Sequence, residues 1–173
     1  MKRILLIALG SAALAACATT AVPPPPPPPG PAATSFREEN FAWSAQAGTA
    51  SIYGSVVYRD GGERYSCATQ PVILIPDAPY SRGRIASLYG SADKAVLTVA
   101  EVRSRQAGRP RDEYSAFVRS GSCDATGRFV FQGLPAGGWF LVAVARPDKQ
   151  GEPLAVMKRV AVRAGEARAV VLP

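Results

Sequence analysis

The sequence predicts an all-β fold, a β-sandwich of seven to eight short strands with Greek-key connections. The 173 residues include 16 glycines and 16 prolines but only 8% aromatic residues, which favours short elements and many turns. Apolar and polar residues alternate with a period of two in several short runs. Turn signals separate these runs about every ten residues, a spacing typical of sandwiches.

The first predicted elements lie between Ser35 and Ser66. A short turn or helix covering one end of the domain is expected in SFREENFAWSAQAG. A strand follows in ASIYGSVVY, where Ile52 and Val56 alternate with more polar neighbours. The sequence DGG after this strand is a strong hairpin signal, so a second strand should return through ERYS.

The middle of the chain is harder to assign. A buried strand is predicted for PVILIP, which prolines bound on both sides. The run KAVLTVAEVRS fits either a strand, from its β-branched residues, or a helix capped by Ser91. Alternation predicts a strand in EYSAFVRS, with Tyr114 and Val118 on one face and Phe117 on the other.

The last fifty residues carry the clearest strand signals. Asp124 and Gly127 occupy the first and fourth positions of a predicted type I turn. After it, Phe129 and Phe131 face one way along a strand, and the chain turns again at GLPAGG. A strand that is apolar on both faces is predicted in WFLVAVA. Two further alternating runs follow, separated at Gly165.

The N-terminus predicts export and lipid attachment. Residues 1–16 have the pattern of a signal peptide, with Lys2 and Arg3 before a thirteen-residue apolar stretch. At about 1.5 Å per residue this stretch is too short to cross a hydrocarbon core of roughly 30 Å. It ends in LAAC, which resembles the lipobox of bacterial lipoproteins. The resemblance implies cleavage before Cys17, lipidation of its thiol, and, because Ala18 is not Asp, attachment to the outer membrane.

Residues 17–35 are predicted to be a lipid-anchored linker, and residues 36–173 the folded domain. Seven consecutive prolines form a semi-rigid polyproline II spacer of roughly 20 Å. The alternative interpretation makes the prolines a ligand for an aromatic-lined groove of a partner. Cleavage removes two of the 20 basic residues, so 18 oppose 13 acidic residues and the net charge falls from +7 to +5. This surplus favours anionic envelope components and is too small to indicate nucleic acid.

Two cysteines remain after lipidation of Cys17. In an oxidising compartment Cys67 and Cys123 predict one disulfide, with two buried thiols as the alternative. Closing a loop of this length stabilises a fold by about 4 kcal/mol from chain entropy alone. The chain has no histidine, which excludes imidazole-based triads and HExxH metal sites. We expect no metal and no cofactor.

No other constellation predicts catalysis. The motif SADK, from Ser91 to Lys94, matches S-x-x-K, but the later motifs of penicillin-binding enzymes are missing. The acidic neighbours Asp112 and Glu113 point to opposite faces if they lie on a strand, so they do not converge as acid and base. A different feature is basic: four arginines surround a Gly-Pro loop and form a candidate contact for an anionic ligand, or else a solvated loop. They are Arg103, Arg105, Arg109 and Arg111.

Several of these runs together resemble the carboxypeptidase regulatory-like domain, also described as transthyretin-like. The resemblance covers residues 50–172 and depends most on GRFVFQGLPAGGWFLV, with IYGSVVY and PVILIP before it. Trp139 or Phe140 stands where that family usually has Tyr, and an insertion around residues 77–122 lengthens the middle. The resemblance implies a seven-stranded sandwich that serves as an accessory module and not as a catalyst.

We therefore expect a non-enzymatic, lipid-anchored envelope protein whose sandwich binds or braces a protein partner. The alternative is a module that binds a glycan, peptidoglycan or lipopolysaccharide, and an enzyme is the third possibility. The structure can separate the first two. A groove lined by Trp43, Tyr80 or Tyr89 would favour a glycan, whereas a flat, apolar and exposed sheet face would favour a protein.

Overall fold

The computed structural model describes residues 35–105 and 112–173. Two β-sheets of different size pack face to face, and short helices cover the outer face of the larger sheet. The predicted all-β sandwich is confirmed, although the described residues form ten strands, more than the seven or eight expected.

The elements alternate irregularly along the chain. The helices are two short 3₁₀ helices (Glu38–Asn40 and Ala42–Ala45), α1 (Pro79–Tyr89), α2 (Val99–Ser104) and α3 (Asp112–Ser115). The strands are β1 (Ala50–Val56), β2 (Tyr58–Asp60), β3 (Glu63–Ser66), β4 (Pro71–Pro76), β5 (Lys94–Thr98), β6 (Arg119–Ser122), β7 (Arg128–Leu134), β8 (Gly137–Pro147), β9 (Leu154–Val162) and β10 (Ala167–Leu172).

The small sheet has three strands in the order β10-β1-β7. Strand β1 runs parallel to β10 and antiparallel to β7. Gly54 in β1 permits the close approach of β10, because a Cβ atom at this position would lie 1.9 Å from the Val170 carbonyl oxygen. The alternation predicted for β1 is confirmed, with Ile52 and Val56 buried and Tyr53 exposed.

The large sheet is built around β8, which has eleven residues. It pairs antiparallel with β4 and β3 on one edge and with β9 on the other, while β6 and β5 extend the sheet beyond β4 and β9. The prediction that β8 is apolar on both faces is confirmed. Trp139 and Leu141 point into the core between the sheets, whereas Phe140 and Val142 belong to the cluster under the helices.

The core between the two sheets is closed at one end by a disulfide. Cys67 and Cys123 are bonded, with 5.8 Å between their Cα atoms, as the sequence predicted. The turn after Cys123 also follows the prediction: the Gly127 amide donates to the Asp124 carbonyl at 3.0 Å. Gly127 has a φ of 76°, a conformation that favours glycine. The disulfide and this turn together place the start of β7.

Of the two structures weighed for KAVLTVAEVRS, the strand forms at its start, and the Ser91-capped helix does not form. Residues 94–98 form β5 and pair with β9, and α2 begins directly afterwards. Thr98 caps α2: its hydroxyl oxygen accepts from the Glu101 amide at 3.1 Å, while the Glu101 carboxylate accepts from the Thr98 amide at 2.9 Å. Ser91 caps no helix, since its hydroxyl accepts from the Asp93 amide in a turn.

The strand predicted for EYSAFVRS is wrong in its first half. Residues 112–115 form α3, and strand pairing begins only at Arg119. Tyr114 is buried in the cluster under the helices, and Phe117 packs against the same cluster. The alternating pattern predicted that Tyr114 and Phe117 would lie on opposite faces of a strand. Both pack against the same cluster, and this packing overrides the local strand preference. Helix α1 was not anticipated either, and Pro79 at its first turn was its strongest local signal.

Candidate functional site

The outer face of the small sheet lies uncovered in the described part of the chain. We call it the bare face. It consists of alternate residues of three strands, namely Ser51, Tyr53, Ser55, Arg128, Val130, Gln132, Ala167, Ala169 and Val171.

Large apolar side chains at the centre of the bare face are open to solvent. Tyr53 lies opposite both Val130 and Ala169, and the exposed fractions are 46% for Tyr53, 58% for Val130 and 57% for Val171. Val57, just beyond β1, is 54% exposed. Apolar patches that span several strands mark interaction sites.

A shallow groove of about 390 Å³ crosses the bare face. Tyr53, Ser55, Arg128 and Val171 line its sides, and residues around Gly54 form its floor. Arg128 is the one charged residue among the described residues that line the groove. The groove therefore offers a desolvating apolar surface, an aromatic ring, a hydroxyl and one guanidinium.

The turn before β7 holds the backbone of Arg128 in place. One oxygen of the Asp124 carboxylate accepts from the Thr126 amide at 2.8 Å and from the Arg128 amide at 3.0 Å. The Thr126 hydroxyl donates to the same oxygen at 2.7 Å. These hydrogen bonds, led by the one from Arg128, lower the pKa of Asp124 below its usual value. The carboxylate thus stays ionised and orders the chain where β7 enters the bare face.

One edge of the small sheet is protected. The Lys158 ammonium group, on β9 of the other sheet, donates to the Val171 carbonyl at 3.1 Å. A lysine at this place discourages another strand from pairing with β10. This contact occupies one carbonyl of the β10 edge and leaves the apolar face open.

Of the four arginines predicted to contact an anionic ligand, the structure describes only Arg103 and Arg105, so the cluster stays a prediction. Arg103 lies on α2 and is exposed, whereas the Arg105 guanidinium donates to the Leu88 carbonyl near the end of α1 at 3.4 Å. That contact satisfies a terminal helix carbonyl, a structural role. Arg109 and Arg111 lie outside the described residues, as does Cys17.

All three aromatic residues named for a possible glycan groove take part in packing, and Tyr89 also lines a cavity in the helical layer. Trp43 packs edge-on against Trp139, with ring centroids 5.0 Å apart. Tyr89 is only 8% exposed, and Tyr80 packs against Tyr114 at 5.2 Å. Sequence reasoning missed the bare face, although the alternation around Tyr53 was visible, because alternation does not show which face stays uncovered.

The motif SADK has no helical geometry. Ser91 precedes a turn, and Lys94 begins β5, where it pairs opposite Lys158. Within residues 35–105 and 112–173 there is no group of three or more Cys, Asp or Glu residues that could hold a metal. The helices described here are all too short or too polar to cross a membrane.

Comparison with known proteins adds information on the fold. No protein-family model and no curated protein sequence matches the chain. The chain is similar to PA1324 of Pseudomonas aeruginosa, a candidate carbohydrate-binding protein, with 23% identity and a TM-score of 0.62 over 79% of this chain and 96% of that one. GBS52, a minor pilin of Streptococcus agalactiae, aligns with 15% identity and a TM-score of 0.36 over 72% of this chain and 50% of the pilin. This chain thus shares the β-sandwich fold of PA1324.

Proposed function

We propose that this chain is a non-enzymatic, lipid-anchored protein of the bacterial envelope that holds a protein partner on its bare face. The observation that carries the proposal is the asymmetry between the two sheets. The chain's own helices cover the outer face of the large sheet, while Tyr53, Val130 and Val171 stay exposed on the small one.

The chemistry of the bare face favours a protein. Apolar surface removed from water contributes about 25 cal/mol per Å², and three exposed apolar side chains on adjacent strands provide such surface without a charge between them. Arg128, at the margin of the bare face, adds a guanidinium group that can form two parallel hydrogen bonds to a carboxylate. The partner surface is therefore apolar at its centre, with a carboxylate placed to meet Arg128.

The sequence supports the proposed location. A basic start, a short apolar stretch and LAAC precede a proline run that would hold the domain away from the bilayer. The resemblance to carboxypeptidase regulatory-like domains supports an accessory role without catalysis. Because two or three acyl chains are needed for durable membrane binding, the anchor would rest on Cys17 and its N-terminus.

Site-specific photo-crosslinking tests the partner proposal. A benzophenone side chain replaces Val130 in the full-length protein in its own envelope, and a second variant carries it at exposed Arg103 on α2 as the control. We expect a discrete protein adduct from position 130, absent from position 103 and absent after Tyr53→Asp. Equal adducts from both positions, or none from position 130, would overturn the proposal.

A glycan is the second candidate ligand, favoured by the exposed Tyr53 ring in a groove with the Ser55 hydroxyl and Arg128. A sugar can stack on such a ring while its hydroxyls bond to the polar rim. PA1324, the fold neighbour, is itself a candidate carbohydrate binder. Tyr53→Leu separates the two candidates, because it keeps apolar area but removes the ring. Protein docking should survive Tyr53→Leu, whereas glycan binding should be lost.

Membrane fractionation and mass spectrometry test the anchor. In the native envelope we expect the mature chain to begin at an acylated Cys17. We expect the Cys17→Ser variant to be lost from the membrane fraction. Cleavage at another residue, or an unmodified Cys17, would contradict this part of the proposal. The sandwich of the Cys17→Ser variant should keep its disulfide, which shows that the loss is not misfolding.

A further inference from the structure

A cavity of about 440 Å³ lies in the helical layer, on the side of the large sheet away from the bare face. It is open to solvent on one side and lies between α1, α3 and the outer surface of strands β4, β6 and β8. Its volume falls within the range of small-molecule sites, roughly 300–1,000 Å³. Its walls are largely aliphatic and come from Ile73, Ile75, Ile85, Leu88, Val118 and Val142.

One residue that lines this cavity carries a buried polar group without a partner. Tyr114 is 4% exposed, and its buried hydroxyl has no hydrogen-bond partner in the described structure. A buried polar group left unsatisfied costs about 1–3 kcal/mol. Burial raises the pKa of Tyr114 above its ordinary range, and it raises the pKa of Tyr89, also in the lining, to about 12. Both phenols therefore stay protonated and can donate a hydrogen bond.

One cation belongs to the same cavity. Arg84 on α1 lines it, half-buried, and forms no ion pair among the described residues. Its guanidinium is close enough to Tyr114 to act on that phenol electrostatically. The hydroxyls of Ser115 and Ser120 add two more polar groups to the lining. A guanidinium without an ion pair among the described residues, with hydroxyl donors beside it, is complementary to a carboxylate.

We propose that this cavity binds a small amphipathic carboxylate, a medium-length fatty acid or a molecule of that chemistry. The carboxylate lies between Arg84 and the Tyr114 hydroxyl, and the alkyl chain lies against the aliphatic walls. A single guanidinium suits one carboxylate, and the aliphatic walls suit an alkyl chain. This site does not depend on the partner proposed for the bare face, which lies on the other side of the sandwich.

Calorimetric titration with dodecanoate, below its micelle-forming concentration, tests the site on the disulfide-bonded protein. Dodecanol is the neutral comparison. We expect dodecanoate to bind wild type at least about tenfold more tightly than dodecanol, since a charge-assisted hydrogen bond is roughly twice as strong as a neutral one. Arg84→Gln should remove that preference and leave dodecanol binding unchanged.

Two further variants complete the test. Tyr114→Phe should weaken dodecanoate binding about threefold to tenfold, while the protein becomes at least as stable as wild type, because the lost hydroxyl was buried without a partner. Arg103→Gln, an exposed cation on α2, is the matched control and should bind like wild type. Absence of dodecanoate binding, equal affinity for dodecanol, or an equal loss with Arg103→Gln would each overturn the proposal.

Discussion

The two cores of this protein lie on opposite faces of one sheet, yet they are built differently. Between the sheets, strand residues such as Leu74, Trp139 and Leu141 are completely buried, and a disulfide joins the loops at one end. The Trp139 Nε1 also lacks a hydrogen-bond partner among the described residues, but Trp139 does not line the cavity in the helical layer. Under the helices, aromatic rings pack at centroid distances of 5.2–6.4 Å around an orphaned phenol and a cavity. We infer that the first core supplies stability and that the second leaves room for a ligand.

A similar contrast holds for the outer surfaces. The large sheet presents Ile73, Phe140 and Val142 outwards, and the chain covers them with the inserted helices. The small sheet presents Tyr53, Val130 and Val171 outwards and leaves them exposed. Two similar apolar strand faces therefore differ in solvent exposure, because the inserted helices cover only one of them.

Removing the disulfide should have the largest effect on stability. Cys67→Ala combined with Cys123→Ala should lower the free energy of unfolding by about 4 kcal/mol, because the open loop gains conformational entropy in the unfolded chain. Denaturant titration measures the change. A loss below about 1 kcal/mol would mean that the inter-sheet core does not depend on its covalent closure.

Truncating one leucine and one isoleucine compares the two cores directly. Leu141→Ala empties a fully buried site between the sheets and should cost about 4 kcal/mol, near the upper end of such substitutions. Ile85→Ala borders the existing cavity and loses fewer packed neighbours, so it should cost about 2 kcal/mol. Equal losses in urea titrations would show that the helical core is packed as tightly as the other.

Acid should weaken the turn that precedes β7 in the small sheet. We expect this loss of stability to be smaller than the losses from the core substitutions. The folded protein lowers the pKa of Asp124, so its carboxylate contributes stability above its unfolded pKa, near 4, and loses that contribution as pH falls through the folded value. Asp124→Asn should therefore flatten the acid limb of the stability curve, measured as Tm between about pH 5 and pH 2. Glu101→Gln should do the same in the helical layer, where hydrogen bonds from Thr98 lower the pKa of Glu101. An unchanged acid limb in Asp124→Asn would contradict the role of this carboxylate.

The strands outside the insertion could be predicted because their signals are local. Alternation, proline boundaries and the turns at DGG and Asp124–Gly127 lie within a few residues of what they specify. The pairing of Cys67 with Cys123 followed from counting thiols in an exported chain. The insertion resisted prediction because α1 packs on β8, and α3 packs on β4 and β8, which in each case are distant in sequence.

The sequence by itself determined that the longer strands, such as β1, β7 and β8, have an apolar face, because side chains alternate along an extended backbone. It could not determine which apolar faces are covered, since that depends on where the insertion folds back. The tertiary structure decided that Tyr53 and Val130 remain exposed while Trp43 and Tyr89 join the packed interior. It also decided that Arg84 and Tyr114, thirty residues apart, line one cavity.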